Sequence, residues 1–154
     1  MQSNINQNKI RQLVVDSQGD GIQKLVVGAV IRRGNKFLLL KRISSDFMGG
    51  LVELPSGTVD IGEDLLTALA REVREETGLV VNVILVYLGS FDYTSSSGDR
   101  TRQFNFLVET MPGEVKLEPT EHQAYYFVAL SDEAFATLNI SSATKTVLYA
   151  AEQQ

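Results

Sequence analysis

The chain reads as an α/β protein with a mixed β-sheet held between helical layers, and three observations lead there. Five β-branched or aromatic runs, KLVVGAVI, KFLLLK, VVNVILVYLGSFDY, TRQFNFLVET and QAYYFVAL, are separated by turn-forming residues. Between the second and third lies a stretch with helical rather than strand period, and further helical patterns close the chain. A sheet with two apolar faces needs cover on both, so strands, a helix, more strands and terminal helices point to a sandwich.

Taken in order, the opening MQSNINQNKIRQ is polar, lacks an apolar leader core, and reads as a loose tail. The short apolar run Ile10 to Val15 is expected as an edge strand of an N-terminal extension over residues 1–23, closed by the turn-like Asp16 to Gly21. The main domain is placed at residues 24–154. Lys24 to Ile31 and Lys36 to Lys41 form a hairpin through Arg33-Gly34-Asn35. Ile43 to Gly50 is a loop, Leu51 to Leu54 is extended, and Pro55-Ser56-Gly57 punctuates the entry to the helix.

That helix is predicted over Glu63 to Thr77. Leu65, Leu66, Leu69 and Val73 recur at helical spacing, Ala68 and Ala70 are strong helix formers, and Gly78 suits the left-handed residue that ends a helix. Val80 to Tyr93 and Thr101 to Thr110 are long strands around a polar turn, with Phe104 and Phe106 on one core-facing side. Met111 to Glu114 turns again, and Gln123 to Leu130 is the last strand. One helix from Ser131 through Leu138, and another capped near Ser141 or Ser142 and running toward Glu152, complete the chain.

Composition narrows the function. With 154 residues, 44% hydrophobic and 21% charged, the chain is one domain with a substantial core. It has no cysteine, which excludes disulfides and thiolate metal sites, and its single histidine, His122, excludes a His-rich zinc site. A net charge of −5 argues against a nucleic-acid surface, and no apolar run approaches the length of a membrane span. The expected setting is cytoplasmic and the expected partner a small molecule.

Within the helix, Glu72, Glu75 and Glu76 stand at i, i+3 and i+4 and so share one face within a turn. They lie in the half where the macrodipole disfavours negative charge, at about 0.3–1 kcal/mol each when exposed. A solvated acidic face softened by Arg71 and Arg74 is the plain explanation. A site for a hard divalent cation is the alternative, because oxygen ligands would turn the repulsion into binding energy.

The surrounding pattern decides between them. Gly57, Glu63, the run Arg71-Glu72-Val73, the pair Glu75-Glu76, Gly78 and Leu79 resemble the Nudix box at every defined position, and the likeness extends from about Leu25 to Glu152. The resemblance implies a Nudix α/β/α sandwich with the box as loop, helix and loop. It implies hydrolysis of a diphosphate linkage in a nucleoside di- or triphosphate derivative, with Mg²⁺, or Mn²⁺ in its place. Such linkages are inert because their charges repel a nucleophile, so catalysis is largely neutralisation and positioning.

Carried onto this chain, Glu72, Glu75 and Glu76 resemble the metal ligands, Glu63 a supporting or metal-linked carboxylate, and Arg71 the arginine that orients a box glutamate. Ser56 stands where a backbone carbonyl meets the metal. Glu121 resembles a downstream glutamate that completes the site in some relatives, with Glu118 as its rival for the general base. Arg42 and Gly57 are candidates for substrate contact, and His122 is read as a loop or sheet-edge residue. Thr94 stands where some ADP-ribose enzymes carry proline, and the marks of NADH and coenzyme A enzymes are absent. Nucleotide-sugar or dinucleotide hydrolysis is the alternative activity, and a nucleotide-binding regulatory module the alternative of another class. Dimers are frequent in the family, so a homodimer is compatible.

Overall fold

Strand β2 organises the sheet. Val26 to Ile31 form one unbroken buried run, as expected of a strand covered on both faces. In the computed structural model, which describes residues 1–154, the chain runs β1 (Gln2–Ser3), α1 (Gln7–Gly19), β2 (Lys24–Arg33), β3 (Lys36–Arg42), β4 (Val52–Glu53) and β5 (Ser56–Thr58). It continues through α2 (Leu65–Thr77), β6 (Val81–Thr94), β7 (Arg100–Thr110), β8 (His122–Val128), α3 (Glu133–Thr137) and α4 (Ser142–Glu152). The strand order is β1-β6-β7-β2-β3-β4, with β5 also on β2 and β8 on β3. Parallel β2–β7 and antiparallel β6–β7 pairs make the sheet mixed.

The hairpin between β2 and β3 pairs only at Arg32–Phe37 and Arg33–Lys36. Beyond that turn, β2 pairs with β5 while β3 pairs with β4 and β8. The segment from Val52 to Thr58 therefore bridges the two parts of the sheet, and candidate residues named from the sequence lie on it or beside it.

Helices cover both faces, as predicted. On one side Leu65, Leu66, Leu69 and Val73 of α2 and Ile10 of α1 pack with Val27, Ala29, Ile31, Phe104 and Phe106. On the other, Val147, Leu148 and Ala151 of α4 and Phe135 of α3 pack with Val30, Leu39 and Leu107. No helix is long and apolar enough to cross a membrane.

The expected edge strand at Ile10 to Val15 is instead part of helix α1. Ile10, Leu13, Val14 and Ser17 recur at helical spacing, and Asn6 caps the first turn by accepting from the Asn8 N–H at 2.8 Å. Taken alone, the β-branched pair Val14-Val15 favours a strand, whereas the longer period decides for a helix that can cover the core. The opening residues are not loose either, since Gln2 and Ser3 add to β6 as a parallel strand. Ile10→Ala is expected to cost about 2–3 kcal/mol in chemical denaturation, because its side chain is buried against the sheet. An unchanged midpoint would mean that α1 does not seal this core.

Two smaller differences bear on the site. Helix α2 begins at Leu65 rather than Glu63, because Asp64 is its N-cap and accepts from Thr67 N–H at 2.8 Å. Glu63 is thereby left outside the helix, free to reach back. The last strand begins at His122 rather than Gln123, which places the imidazole against β3.

Candidate active site

Helix α2 presents its three glutamates to three environments. Glu75 stays exposed, Glu72 is half-buried, and Glu76 faces inward with 5% of its surface accessible. Arg71 ties the first two to the loop ahead of the helix. Its guanidinium donates to both Glu63 oxygens at 2.8 Å, to Glu72 at 2.8 Å, to Glu75 at 3.2 Å and to the Thr58 carbonyl at 3.0 Å. The planar fork of arginine is what allows one side chain to hold this many oxygens. Hydrogen bonding from Arg71 pulls the Glu63 carboxyl down to about 2. Burial pushes Glu72 upward, against the pull of Arg71.

Gly57 has a specific task. A Cβ built on it would lie 2.0 Å from the Glu72 carboxyl carbon, so a side chain there would displace that group. The box glycine is thus required by close approach of the carboxylate to strand β5. Gly57→Ala is expected to lower kcat/KM about tenfold by shifting Glu72 from Arg71, as loss of an outer partner does. Unaltered kinetics would show that Glu72 does not need this position.

Around Glu76 the geometry changes character. The Ser56 N–H donates to it at 3.4 Å, and His122 Nδ1 lies 3.9 Å away. Burial first, and then the charges of Glu121, Glu53 and Glu72, push its carboxyl up to about 9. His122 is buried, and its Nε2 pairs with Glu53 at 2.8 Å. A carboxylate accepts, so Nε2 carries a proton toward Glu53, which leaves Nδ1 as the ring atom facing Glu76. Nδ1 has no hydrogen-bond partner. Donor atoms of Glu76, Glu121 and His122 lie within 4.8 Å of one another.

These groups line a polar pit of about 120 Å³ with Arg42, Glu53 and Ser56. Arg42, Glu53 and Ser56 also line a larger cleft of about 450 Å³, walled by Phe47, Phe91 and Tyr93 and floored by Gln103. That volume lies in the range of small-molecule sites. The acidic pit is therefore one end of a cleft with an aromatic rim.

A family model described as the NUDIX domain matches residues 23–147. This chain belongs to the Nudix family. Among its Nudix relatives, it is 34% identical over 108 residues to an ADP-ribose pyrophosphatase of Methanocaldococcus jannaschii, covering 67% of this chain and 60% of that protein. It is 35% identical over 100 residues to the NAD-capped RNA hydrolase NudC of Haemophilus influenzae, covering 63% of this chain and 36% of the relative. The chain thus spans less than two thirds of the length of either. Among solved structures, a MutT Nudix hydrolase from Burkholderia pseudomallei aligns with TM-score 0.71 and 29% identity, over 82% of this chain and 96% of that one.

Set on this Nudix scaffold, the sequence-predicted residues fall into groups. Arg71, Glu63, Glu72 and Glu75 share one network with Gly57 beside it; Ser56, Glu76 and Glu121 meet at the pit. Between the rivals, Glu121 faces the site, whereas Glu118 spends its carboxylate on the N–H and hydroxyl of Thr120. Arg42 lines the cleft but is held by Glu53, Asp46 and the Phe47 carbonyl. Glu53 was not among the residues singled out from the sequence, and His122, which opens the edge strand β8 as expected, is also buried and lines the pit. The adjacency of His122 to Glu121 was the available signal.

Proposed function

We propose that this chain is a Mg²⁺-dependent pyrophosphohydrolase that cleaves a diphosphate linkage in a nucleoside di- or triphosphate derivative by attack of water at phosphorus. The observation that carries the reading is the continuity between the acidic pit and a cleft large enough for a nucleoside, joined through Arg42, Glu53 and Ser56.

The donor set suits a divalent cation. Glu76 is a buried carboxylate whose ionisation is opposed by three neighbouring acids, and it faces an orphaned imidazole nitrogen. Glu72, Glu75, Glu76 and the Ser56 backbone would hold the ion, with Glu121 closing the site and His122 Nδ1 within reach. Both Glu63 oxygens are committed to Arg71, so Glu63 supports rather than ligates. When bound, the ion supplies charge neutralisation for the phosphates and lowers the pKa of water.

The protein's own groups provide the rest. Arg71 fixes Glu72 in place, and Glu53 fixes the orientation of the His122 ring, which bounds the pit beside Glu76. Glu121 is exposed and makes no side-chain hydrogen bond, so it can take the proton that water loses as its oxygen bonds to phosphorus. The bond from that phosphorus to the bridging oxygen breaks, and the leaving phosphate or nucleotide departs through the open cleft.

The test is a panel of nucleoside triphosphates, oxidised nucleotides, nucleotide sugars, ADP-ribose and dinucleotides, assayed for phosphate release with coupling pyrophosphatase and phosphatase in Mg²⁺ and in chelator. Turnover confined to Mg²⁺ and to one of these classes is the expected result. Tight nucleotide binding without turnover would overturn the reading in favour of a regulatory module.

A further inference from the structure

The floor of the larger cleft carries a polar pair that the proposed hydrolysis does not use. Strand β7 alternates Phe104 and Phe106 toward the α2 side with Gln103 and Asn105 toward the α4 side, where Leu107 and Val30 are apolar. Both amides are buried, Gln103 with 7% and Asn105 with none of its surface accessible. A buried amide on an otherwise apolar face is costly unless its bonds are made.

The orientation of both side chains follows from their partners. Asn105 Nδ2 faces two carbonyl oxygens, Gly89 at 3.1 Å and Gln103 at 3.3 Å, and only an amide nitrogen can donate to them. Asn105 Oδ1 therefore points toward Gln103 and must receive a proton, which fixes Gln103 Nε2 against it at 2.8 Å. Gln103 Oε1 is the end left over. It accepts no hydrogen bond within the protein, yet it is not sealed from solvent, because Gln103 lines the cleft.

Two backbone features hold the pair in this state. A Cβ on Gly28 would lie 2.5 Å from both Asn105 Oδ1 and Gln103 Nε2, so glycine leaves the room the amides occupy. The Gly89 carbonyl that anchors Asn105 lies at an irregularity in the β6–β7 register, in a backbone with φ of 99° that suits glycine. The cleft thus presents a pre-oriented acceptor on its floor, between the aromatic side chains of its rim and the first turn of α4.

We propose that Gln103 Oε1 is a specificity determinant that accepts a hydrogen bond from an N–H on the pairing edge of a nucleobase, with Asn105 as the clamp that stops the amide from turning over. This deepens the nucleotide-hydrolase reading and rests on it. A base that offers no N–H there leaves the acceptor unpaired as water is excluded, and is rejected for that reason.

The experiment measures binding of AMP, GMP and purine riboside 5′-monophosphate by titration calorimetry, for the wild type and for Gln103→Met and Asn105→Leu, with melting curves for each. Purine riboside monophosphate is the informative probe, since its base carries no N–H. The wild type is expected to bind it at least tenfold more weakly than the better of AMP and GMP. Gln103→Met is expected to close that gap to about twofold by weakening the better nucleotide, and Asn105→Leu to narrow it while glutamine remains. Equal wild-type affinities, or a gap that survives Gln103→Met in a folded protein, would overturn the proposal alone if Mg²⁺-dependent turnover persists. Absence of both binding and turnover with every nucleotide would overturn the hydrolase reading with it.

Discussion

Glu76→Gln is expected to reduce turnover about a thousandfold while making the cation-free protein more stable. The first half follows from removing a charged donor at the pit, a larger loss than the 10–100-fold typical of outer partners. The second follows from the location of Glu76. Its carboxyl is pushed up to about 9 in the fold, mainly by burial and then by Glu121, Glu53 and Glu72, against an ordinary value of 4.5. Below 4.5 the group is protonated whether or not the chain is folded, so it contributes nothing. Between 4.5 and 9 the unfolded chain is ionised while the fold retains the proton, so stability falls as pH rises. Above 9 the penalty is complete.

In chelator, Glu76→Gln should therefore exceed the wild type in stability by up to about 5 kcal/mol at pH 8, with the difference vanishing toward pH 4. Denaturant melts across that range provide the check. A mutant less stable than the wild type at pH 8 would mean that Glu76 is held by favourable bonds rather than strained. Adding Mg²⁺ should reverse the order, because only the wild type gains a full donor set.

Arg71→Met is expected to combine a loss of turnover of about 10–100-fold with a loss of stability of about 2 kcal/mol at neutral pH. The guanidinium holds Glu63, Glu72 and Glu75 together, and a methionine leaves half-buried Glu72 without its partner. Arg71→Lys should recover only part of either effect, since an ammonium cannot span the Glu63 fork and Glu72 at once. Acid supplies an independent signature. With its folded value near 2, Glu63 contributes stability that is present above about 4.5 and lost as pH falls toward 2. Arg71→Met abolishes that contribution, so the two proteins should converge in stability as the solution is acidified. A constant gap down to pH 2 would show that Arg71 acts through packing alone.

What could be read directly from the residues was local in the chain. The spacing of Leu65, Leu66, Leu69 and Val73 produced helix α2, and Glu72, Glu75 and Glu76 fell on one face because three and four residues make about one turn. The family and the sandwich followed from the box and the alternation of elements. The contacts of Arg71 with Glu72 and Glu75 were likewise legible, because these partners lie within one turn of it.

Tertiary structure decided everything that depends on pairing between distant strands. Glu53 meets His122 across 69 positions, and only the register of β3 against β8 and β4 brings them together beside Glu76. The same register set Glu121 at the pit while Glu118, three residues away on the same loop, bonds to Thr120. Gln103 and Asn105 become a buried pair only in the fold, where Gly28 and Gly89 stand beside them. Spacing along a helix is fixed by 3.6 residues per turn and so can be counted in a sequence. Strand register is set by how the whole core packs, so the partners of Glu76 and the clamp on Gln103 became definite only in the fold.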